Sequence, residues 1–497
     1  MTGGGRPLPG LIPAAMSASD GAMLRPPSPA LLDELQSLLG PRGFTRDPDA
    51  LAPWLGDWRG RYRGAAAALL SPRSVSEVRS IVERCARERV AIVPQGGNTS
   101  MVGGATPEGD SLLLSLRRMN AVRSISAEDN VAVTEAGVIL SDLHDSAAAA
   151  GRRFPLSLGA KGSATVGGLI STNAGGTQVL RFGPMRSLVL GLEAVLPDGS
   201  LFEGLSALRK DNRGYDLKQL LIGAEGTLGV VTAASLKLFA SPGSKSVAWV
   251  GLGSPAAALT LLRRLESRLG EAVESFELVP EDALALVLAG IAGTRAPLAG
   301  GHRWHVLVEA VAAEGSRDAG EALQEALGAA LEEGLAEDAV VAASEAQSAA
   351  LWRLRESIAE AERLRAPAVK HDVSVPVSAM PGFIERARAA VEARFEGARV
   401  IAFGHLGDGN VHFNVQPPAA AEAEEWLAGQ SGAVTRLVHD LVGAAGGSIS
   451  AEHGIGRSKL DEFGRTAGPA RLAALRAIKS ALDPAGIMNP GKLIPSL

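Results

Sequence analysis

The stretch LRKDNRGYDLKQLLIGAEGTLGVVT, residues 208–232, places Gly226 and Gly229 close together ahead of a valine-rich run. Glycine lets a backbone approach a ligand closely and adopt positive φ. Two earlier stretches share this character: PQGGNTSMVGGATP at 94–107 and PLSLGAKGSATVGGLISTNAGGT at 155–177. None has the spacing of the Walker loop or of G-x-G-x-x-G. Each alone could be a connecting loop, but three together suit an extended ligand with a pyrophosphate and a ring.

Working outward, short apolar runs separate these glycine arrays, and the region ends at Pro242. Periodicity predicts a helix over 75–89 and strands at 91–93, 111–116, 131–137 and 192–199. Residues 245–440 alternate strands such as SKSVAWVGL with amphipathic helices, one of them over 346–364, which predicts a sheet with helices on one face. We divide the chain into a disordered tail at 1–30, a glycine-rich domain at 31–242, a second domain at 243–442 and a C-terminal segment at 443–497.

Composition excludes several classes of protein. The net charge is -5 and the pI is near 6.0, whereas a nucleic-acid binder would show a basic excess. The one cysteine, Cys85, sits on an apolar helical stripe and is expected to be a buried thiol in a reducing compartment, so we expect a cytoplasmic protein. No apolar run approaches the roughly 18 residues of a membrane span. Residues 1–27 lack the pattern of a signal peptide, and Met16 or Met23 could be the true start.

The segment RVIAFGHLGDGNVHFNVQP, residues 399–417, predicts a hairpin around an Asp-Gly turn. His412 and Asn414 share one face of the return strand, and His405 ends the incoming strand beside them. Two imidazoles at the mouth of a hairpin form half of a site for a first-row metal. From the hairpin alone, two polar residues that satisfy the turn are the simpler interpretation.

The segment GGSISAEHGIGRSK, residues 446–459, predicts a small strand that enters a glycine turn carrying Glu452 and His453. Glu452 can complete a set of two histidines and one carboxylate, which suits Zn²⁺ and leaves Mn²⁺, Co²⁺ and Fe²⁺ open. His453 is then free to act as a base. Alternatively, Glu452 is a carboxylate at a helix N-terminus and His453 is a surface residue.

Two cations are candidates for binding an anionic substrate. Leu351, Leu354, Arg355 and Ile358 form one helical stripe, where an unpaired arginine is costly and a guanidinium can grip a carboxylate. Lys370 alternates with apolar neighbours on a predicted strand and could equally face solvent.

The three glycine arrays, in this order, resemble the flavin-binding domain of the vanillyl-alcohol oxidase / p-cresol methylhydroxylase superfamily, in its D-2-hydroxyglutarate and D-lactate dehydrogenase branch. The resemblance implies an α+β fold: a two-subdomain FAD-binding domain of the p-cresol methylhydroxylase type, then a substrate domain with an antiparallel sheet covered by helices, and a C-terminal helical segment returning to the flavin. It implies FAD binding by Pro94, Gln95, Gly96, Gly97, Asn98, Thr99, Ser100, Gly103, Pro155, Gly159, Ser163, Gly167, Gly168, Asn173, Gly176, Glu225, Gly226, Val231 and Asn489. Because Asn98 stands in the loop where some relatives carry a tethering histidine, we expect non-covalent FAD.

The motifs GHLGDGNVH and SAEHGIG resemble those of the metal-using hydroxy-acid dehydrogenases in this branch. The resemblance implies a metal held by His405, His412 and Glu452, with His453 as base and with Arg355, Lys370 and Asn414 binding the substrate. One position departs from the pattern: Ala359 stands where the 2-hydroxyglutarate enzymes carry a hydroxyl residue.

The sequence therefore predicts an FAD- and metal-dependent dehydrogenase that oxidises a D-2-hydroxy acid, with D-2-hydroxyglutarate the leading substrate and hydride transfer to flavin N5. D-lactate or glycolate oxidation is the alternative within the family; a metallohydrolase or an electron-carrying flavoprotein is the alternative outside that activity. We expect an electron-transfer flavoprotein or a quinone as acceptor, and a homodimer is possible.

Overall fold

A computed structural model describes residues 23–495, which form three main sheets of four, five and seven strands. Most of the tail predicted at 1–30 lies outside the described residues. The first helix begins at Pro29, so residues 29 and 30 are helical rather than part of a tail. Just before it, the Arg25 N–H donates to the carbonyl oxygen of Arg89 at 2.9 Å. Leu24 packs against the hydrophobic core of the first sheet.

The first sheet pairs its strands in the order β1-β2-β4-β3, with parallel pairing around β4. Its elements are α1 (Pro29–Leu39), β1 (Phe44–Thr45), α2 (Pro48–Leu51), β2 (Ala68–Leu70), α3 (Val75–Glu88), β3 (Ile92–Gln95) and β4 (Leu112–Ser115). The helix predicted over 75–89 is confirmed. Cys85 has no exposed surface on α3, so the prediction of a buried thiol is also confirmed.

The second sheet is antiparallel, in the order β5-β6-β10-β8-β9. Its elements are β5 (Val122–Ser126), β6 (Val131–Glu135), α4 (Leu140–Ala149), α5 (Val166–Thr172), α6 (Val179–Phe182), α7 (Met185–Leu188), β8 (Val189–Val195), β9 (Leu201–Gly204), α8 (Lys218–Leu221) and β10 (Val230–Lys237), with β7 (Arg152–Arg153) and β11 (Phe239–Ala240) pairing separately. The strands predicted at 131–137 and 192–199 correspond to β6 and β8.

The third sheet is antiparallel throughout, as predicted, in the order β15-β12-β14-β13-β17-β18-β16. Its strands are β12 (Ser244–Leu252), β13 (Val273–Pro280), β14 (Trp304–Ala312), β15 (Asp338–Val341), β16 (Val369–Ser374), β17 (Arg399–His405) and β18 (Asn410–Gln416). Its helices are α9 (Pro255–Leu269), α10 (Glu281–Gly290), α11 (Ala319–Glu332), α12 (Glu345–Glu356), α13 (Ile358–Arg365), α14 (Met380–Arg394) and α15 (Ala423–Ala444).

Helices cover both faces of this third sheet, so the expectation of one covered face is wrong. Along β12, Ala248 and Val250 point into a core shared with α9, α11, α14 and α15. Val247 and Trp249 point the other way, into a second core shared with α10, α12 and α13. A strand whose two sets of side chains are both apolar has to bury both faces.

The single helix predicted over 346–364 is wrong as well, because it is divided at Ser357 into α12 and α13. Each half has its own packing partner: α12 lies against β12, and α13 lies against α10. Good helix formers on both sides of Ser357 hide this division in the sequence.

The C-terminal segment contains α16 (Leu460–Thr466) and α17 (Pro469–Leu482) and then returns to the first sheet. There the Ile92 N–H donates to the carbonyl oxygen of Ile487 at 2.8 Å, and the Asn489 N–H donates to that of Ile92 at 2.8 Å. The small strand predicted within 446–452 is wrong, because this stretch makes only an isolated bridge from Ser448 to Ser374. Within the described part of the chain, no helix combines the length and apolar character needed to cross a bilayer.

Candidate active site

Three neighbouring strands of the third sheet present polar side chains on the face that carries α12 and α13. In the register of β16, β18 and β17, Asp372 lies opposite His412, and Lys370 lies opposite Asn414. His405 ends β17 next to this row. Because side chains alternate along a strand, the opposite face of β18 keeps Val411, Phe413 and Val415 for the core, as predicted.

The predicted metal ligands come together in space. His405, His412 and Glu452 each offer a ligand atom, and these atoms lie within 4.8 Å of one another. Oε1 of Glu452 is buried without a hydrogen-bond partner and lies 4.0 Å from Nε2 of His405. Burial raises the pKa of Glu452 to about 7. A buried carboxylate oxygen with no donor, between two imidazoles, fits a divalent cation.

A buried carboxylate that the sequence analysis missed orients the first of these ligands. Nδ1 of His405 donates to Oε1 of Glu277 at 2.6 Å, which leaves Nε2 of the ring directed toward Glu452. Arg355 holds the other oxygen of Glu277 through Nε at 2.9 Å and Nη2 at 2.8 Å. Burial opposes a charge on His405, but the Glu277 carboxylate outweighs it and raises the pKa of His405 to about 9. Metal binding at Nε2 therefore has to displace a proton.

Asp372 is a second buried carboxylate, and it fixes the loop that carries the predicted base. Its Oδ2 accepts the backbone N–H groups of Glu452 at 2.9 Å and His453 at 3.0 Å, and it lies 3.5 Å from Nδ1 of His453. Its Oδ1 accepts the side-chain amide of Asn410 at 2.9 Å. Burial opposes the charge of Asp372, but the neighbouring His453 and Lys459 side chains and the backbone N–H of Glu452 hold its pKa well below the usual value.

The environment of His453 favours a neutral imidazole. Burial lowers the pKa of His453, and the attraction of Asp372 only partly offsets this effect. With Nδ1 turned toward Asp372, Nε2 is left as the acceptor. Asp372, Glu452 and His453 also lie close enough to form a second cluster of potential ligands that shares Glu452 with the first.

The predicted substrate-binding cations lie at the two ends of this polar face. Lys370 is one row beyond His412, and two residues of strand span about 7 Å. Nζ of Lys370 lies 3.5 Å from Oε2 of the buried Glu362, which also accepts the side-chain amide of Asn414 at 2.7 Å. Arg355 and Lys370 are therefore both held in place by buried carboxylates. Ala359 is exposed on α13.

The three glycine arrays touch one another. A Cβ on Gly96 would lie 2.3 Å from Oγ1 of Thr165, and one on Gly97 would lie 2.1 Å from the carbonyl oxygen of Ser163. The first and second arrays can therefore approach this closely only because these residues are glycine. A Cβ on Gly226 would lie 3.1 Å from Cγ of Pro94, so the third array also packs against the first.

Exposure divides the predicted FAD residues into two groups. Those open to a ligand are Pro94, Gly96, Gly97, Asn98, Thr99, Ser100, Gly159, Ser163, Gly168 and Asn173; those buried are Gln95, Gly103, Pro155, Gly167, Gly176, Glu225, Gly226, Val231 and Asn489. A Cβ on Gly159 would meet nothing within 4 Å, so this glycine lies at an open surface of the second array. The side chain of Val231 packs instead into the core of the second sheet.

Backbone strain concentrates at the same residues. Seven described non-glycine residues have positive φ, and four of them are predicted FAD residues: Asn98, Asn173, Glu225 and Asn489. Asn98 donates its side-chain amide to the carbonyl oxygen of Gly56 at 2.8 Å. Left-handed backbone in non-glycine residues is costly and clusters at ligand sites.

Glu225 links the third glycine array to the loop of the predicted base. Its two carboxylate oxygens accept the N–H groups of Ile455 and Gly456, each at 2.8 Å. Asn489 reaches the same point and donates to the carbonyl oxygens of Glu225 at 2.7 Å and Gly104 at 2.9 Å. Glu225 and Asn489 thus join the third glycine array to the first array and to the loop of the predicted base.

Sequence reasoning gave no role to three carboxylates that organise the site: Glu277, Glu362 and Asp372. A signal existed for the first, since an arginine on an apolar stripe needs a buried partner and β13, VESFELVP, carries acidic residues in an apolar run. The pairing itself joins residues 78 positions apart.

Two protein-family models match the sequence of this chain. Residues 241–493 match the family model for the C-terminal domain of FAD linked oxidases, and residues 66–204 match that for an FAD binding domain. The chain belongs to the FAD-linked oxidase family. Two of its glycine arrays lie within the FAD binding domain, so the metallohydrolase alternative is wrong and the expectation of an FAD enzyme is confirmed.

Relatives in this family extend over most of the chain. A D-2-hydroxyglutarate dehydrogenase of Bos taurus, named as mitochondrial, is 39% identical over 93% of this chain and 84% of its own length. The corresponding protein of Arabidopsis thaliana is 37% identical over 93% and 80%. In fold, the chain is similar to p-cresol methylhydroxylase, with a TM-score of 0.72 at 16% identity over 94% of this chain and 96% of the other. The predicted family and α+β fold are thus confirmed.

Proposed function

We propose that this enzyme oxidises D-2-hydroxyglutarate to 2-oxoglutarate, with non-covalent FAD as the hydride acceptor and a divalent metal, zinc favoured, at His405, His412 and Glu452. The observation that supports this substrate most directly is the spacing of His412 and Lys370 on one face of the third sheet. Lys370 lies one row, about 7 Å, beyond His412 of the candidate metal cluster, a length that suits a five-carbon diacid. The names of the relatives support the same substrate.

FAD held by the glycine arrays would supply the hydride acceptor, and a divalent ion held by His405, His412 and Glu452 would polarise the substrate hydroxyl. The chain's own residues position and deprotonate the substrate. Nε2 of His453 accepts the hydroxyl proton, and Asp372 holds that ring and its loop in place. Lys370 and Asn414 attract the far carboxylate, while Arg355 adds positive charge on the metal side.

Anaerobic reduction of the flavin tests this proposal. The FAD-loaded protein is mixed with a panel of D-2-hydroxy acids, with and without a chelator, and the flavin absorbance is followed. We expect D-2-hydroxyglutarate to bleach the flavin quickly and the chelator to abolish the reaction. Bleaching that survives complete metal removal would refute the metal role, and failure with every D-2-hydroxy acid would refute the activity.

D-lactate or glycolate is the second candidate substrate, and Ala359 favours it. An alanine offers no hydroxyl for a second carboxylate, so a shorter monoacid loses nothing at this position. The same panel separates the two, because a monoacid enzyme would reduce its flavin faster with D-lactate than with D-2-hydroxyglutarate.

We further propose that an electron-transfer flavoprotein or a quinone reoxidises the flavin, and that the chain works in the cytoplasm, as a homodimer if it associates. The single buried thiol supports the compartment, although the two relatives above carry mitochondrial in their names. Reoxidation rates with each acceptor test the choice of acceptor, and light scattering of the purified protein tests whether it is a homodimer.

A further inference from the structure

The loop that precedes β2, residues 56–64, lies between the first glycine array and the loop of the predicted base. Asn98 of the glycine array is bonded to the carbonyl oxygen of Gly56, and the ring of Tyr62 lies against Gly103. The guanidinium of Arg457, just after the base loop, stacks 5.4 Å from the centre of the Tyr62 ring. Arg59 at the middle of this loop therefore stands where the two halves of the site meet.

Arg59 differs from the other cations of the site because it has no carboxylate partner. Its Nη2 lies 2.9 Å from Sδ of Met101, a weak acceptor, and no carboxylate oxygen of the described residues lies within 4 Å of its guanidinium. Arg355 and Lys370, in contrast, are each held by a buried glutamate. Burial lowers the pKa of Arg59 to about 10. A half-buried guanidinium without an anion is unfavourable, and a bound carboxylate would relieve this cost.

Within its own loop, Arg61 opposes the charge of Arg59 and Asp57 attracts it, and beyond the loop Asp372 of the candidate site attracts it as well. The charge of Arg59 in turn lowers the pKa of Lys370 and of His453. Lys370 marks the end of the sheet face farther from the metal cluster. Arg59, from the loop before β2, and Lys370, from β16, therefore lie close enough for the charge of one to act on the other.

We propose that Arg59 determines specificity for dicarboxylic substrates by binding the second carboxylate of the D-2-hydroxy acid together with Lys370. It would supply, from the FAD-binding half, the donor that Ala359 does not. This inference rests on the proposed oxidation of a D-2-hydroxy acid.

Two five-carbon acids test it, D-2-hydroxyglutarate and D-2-hydroxypentanoate, which differ in the second carboxylate. Half-saturating concentrations for anaerobic flavin reduction are measured for the wild-type protein, Arg59→Ala and Arg59→Gln, with Arg63→Ala as an exposed control from the same loop. Loss of a charge-assisted hydrogen bond predicts a rise of about 10- to 100-fold for the diacid in both Arg59 variants. The monoacid should change by less than twofold, and Arg63→Ala should resemble wild type.

Equal effects on the two acids, or no effect on the diacid, would overturn the role of Arg59. Should a variant lose its flavin, titration of the remaining FAD-loaded variant with 2-oxoglutarate and 2-oxopentanoate, read as a shift of the flavin spectrum, gives the same comparison without turnover. Failure of the proposed function looks different, because the wild-type flavin would then be reduced by neither acid.

Discussion

The two carboxylate oxygens of Glu277 accept one hydrogen bond from His405 and two contacts from Arg355. Replacing Glu277 by glutamine should weaken metal binding although Glu277 is not one of the proposed metal ligands. Glutamine keeps the shape but removes the charge and one acceptor, so either His405 or Arg355 loses its hydrogen bond. Loss of the residue that orients a ligating histidine typically weakens metal affinity by about 10- to 100-fold, or about 1.4–2.8 kcal/mol. Removing one partner of a buried ion pair should also lower the free energy of unfolding by about 3–5 kcal/mol.

The assay is a zinc titration of the FAD-loaded protein against a chromophoric chelator, with thermal unfolding measured in parallel. Glu281→Gln is the control, since Oε2 of the half-exposed Glu281 lies 2.7 Å from Nε2 of His305, a carboxylate–imidazole pair outside the candidate metal cluster. We expect Glu277→Gln alone to weaken zinc binding. Zinc affinity within twofold of wild type, or an equal loss in the control, would refute the argument that Glu277 prepares His405 for the metal.

Three further predictions concern other parts of the molecule. His453→Ala should retain FAD but slow flavin reduction by about 10²- to 10⁴-fold; an unchanged rate would remove it as the base. Gly97→Ala should weaken FAD binding by roughly 5- to 150-fold, because its Cβ would collide with the carbonyl oxygen of Ser163, while Gly162→Ala, whose Cβ meets nothing within 4 Å, should retain FAD. Burial raises the pKa of Cys85 to about 12, so a disulfide reagent at pH 8 should modify the thiol only after denaturation, and rapid modification of the native protein would contradict the buried position.

Local pattern was sufficient for the parts of the site that lie on one hairpin. Alternation along a strand fixes which side chains share a face, and the Asp-Gly turn fixes the register, so the hairpin sequence alone places His405 and His412 together. The stripe of α12 likewise placed Arg355 among buried leucines.

Long-range pairing was not accessible in the same way. The order of strands in the third sheet brings β13 next to β17, and only that order places Glu277 beside His405. The covering of both sheet faces and the division at Ser357 also follow from how helices pack on the finished sheet rather than from periodicity. The carboxylates that hold the cations were therefore missed, although the cations themselves were not.

The two hydrogen bonds from Ile455 and Gly456 to the Glu225 carboxylate affect how this protein can be divided or recombined. The backbone of the loop that bears His453 is held by a side chain from the third glycine array, more than 200 positions earlier in the chain. A C-terminal fragment made alone, or fused to the flavin domain of a distant relative, would keep the hairpin of His405 and His412 but lack the carboxylate that anchors the His453 loop. Chimaeras should therefore retain hydroxy-acid oxidation only where a carboxylate is supplied at this position. The third glycine array and the His453 loop must then be exchanged together.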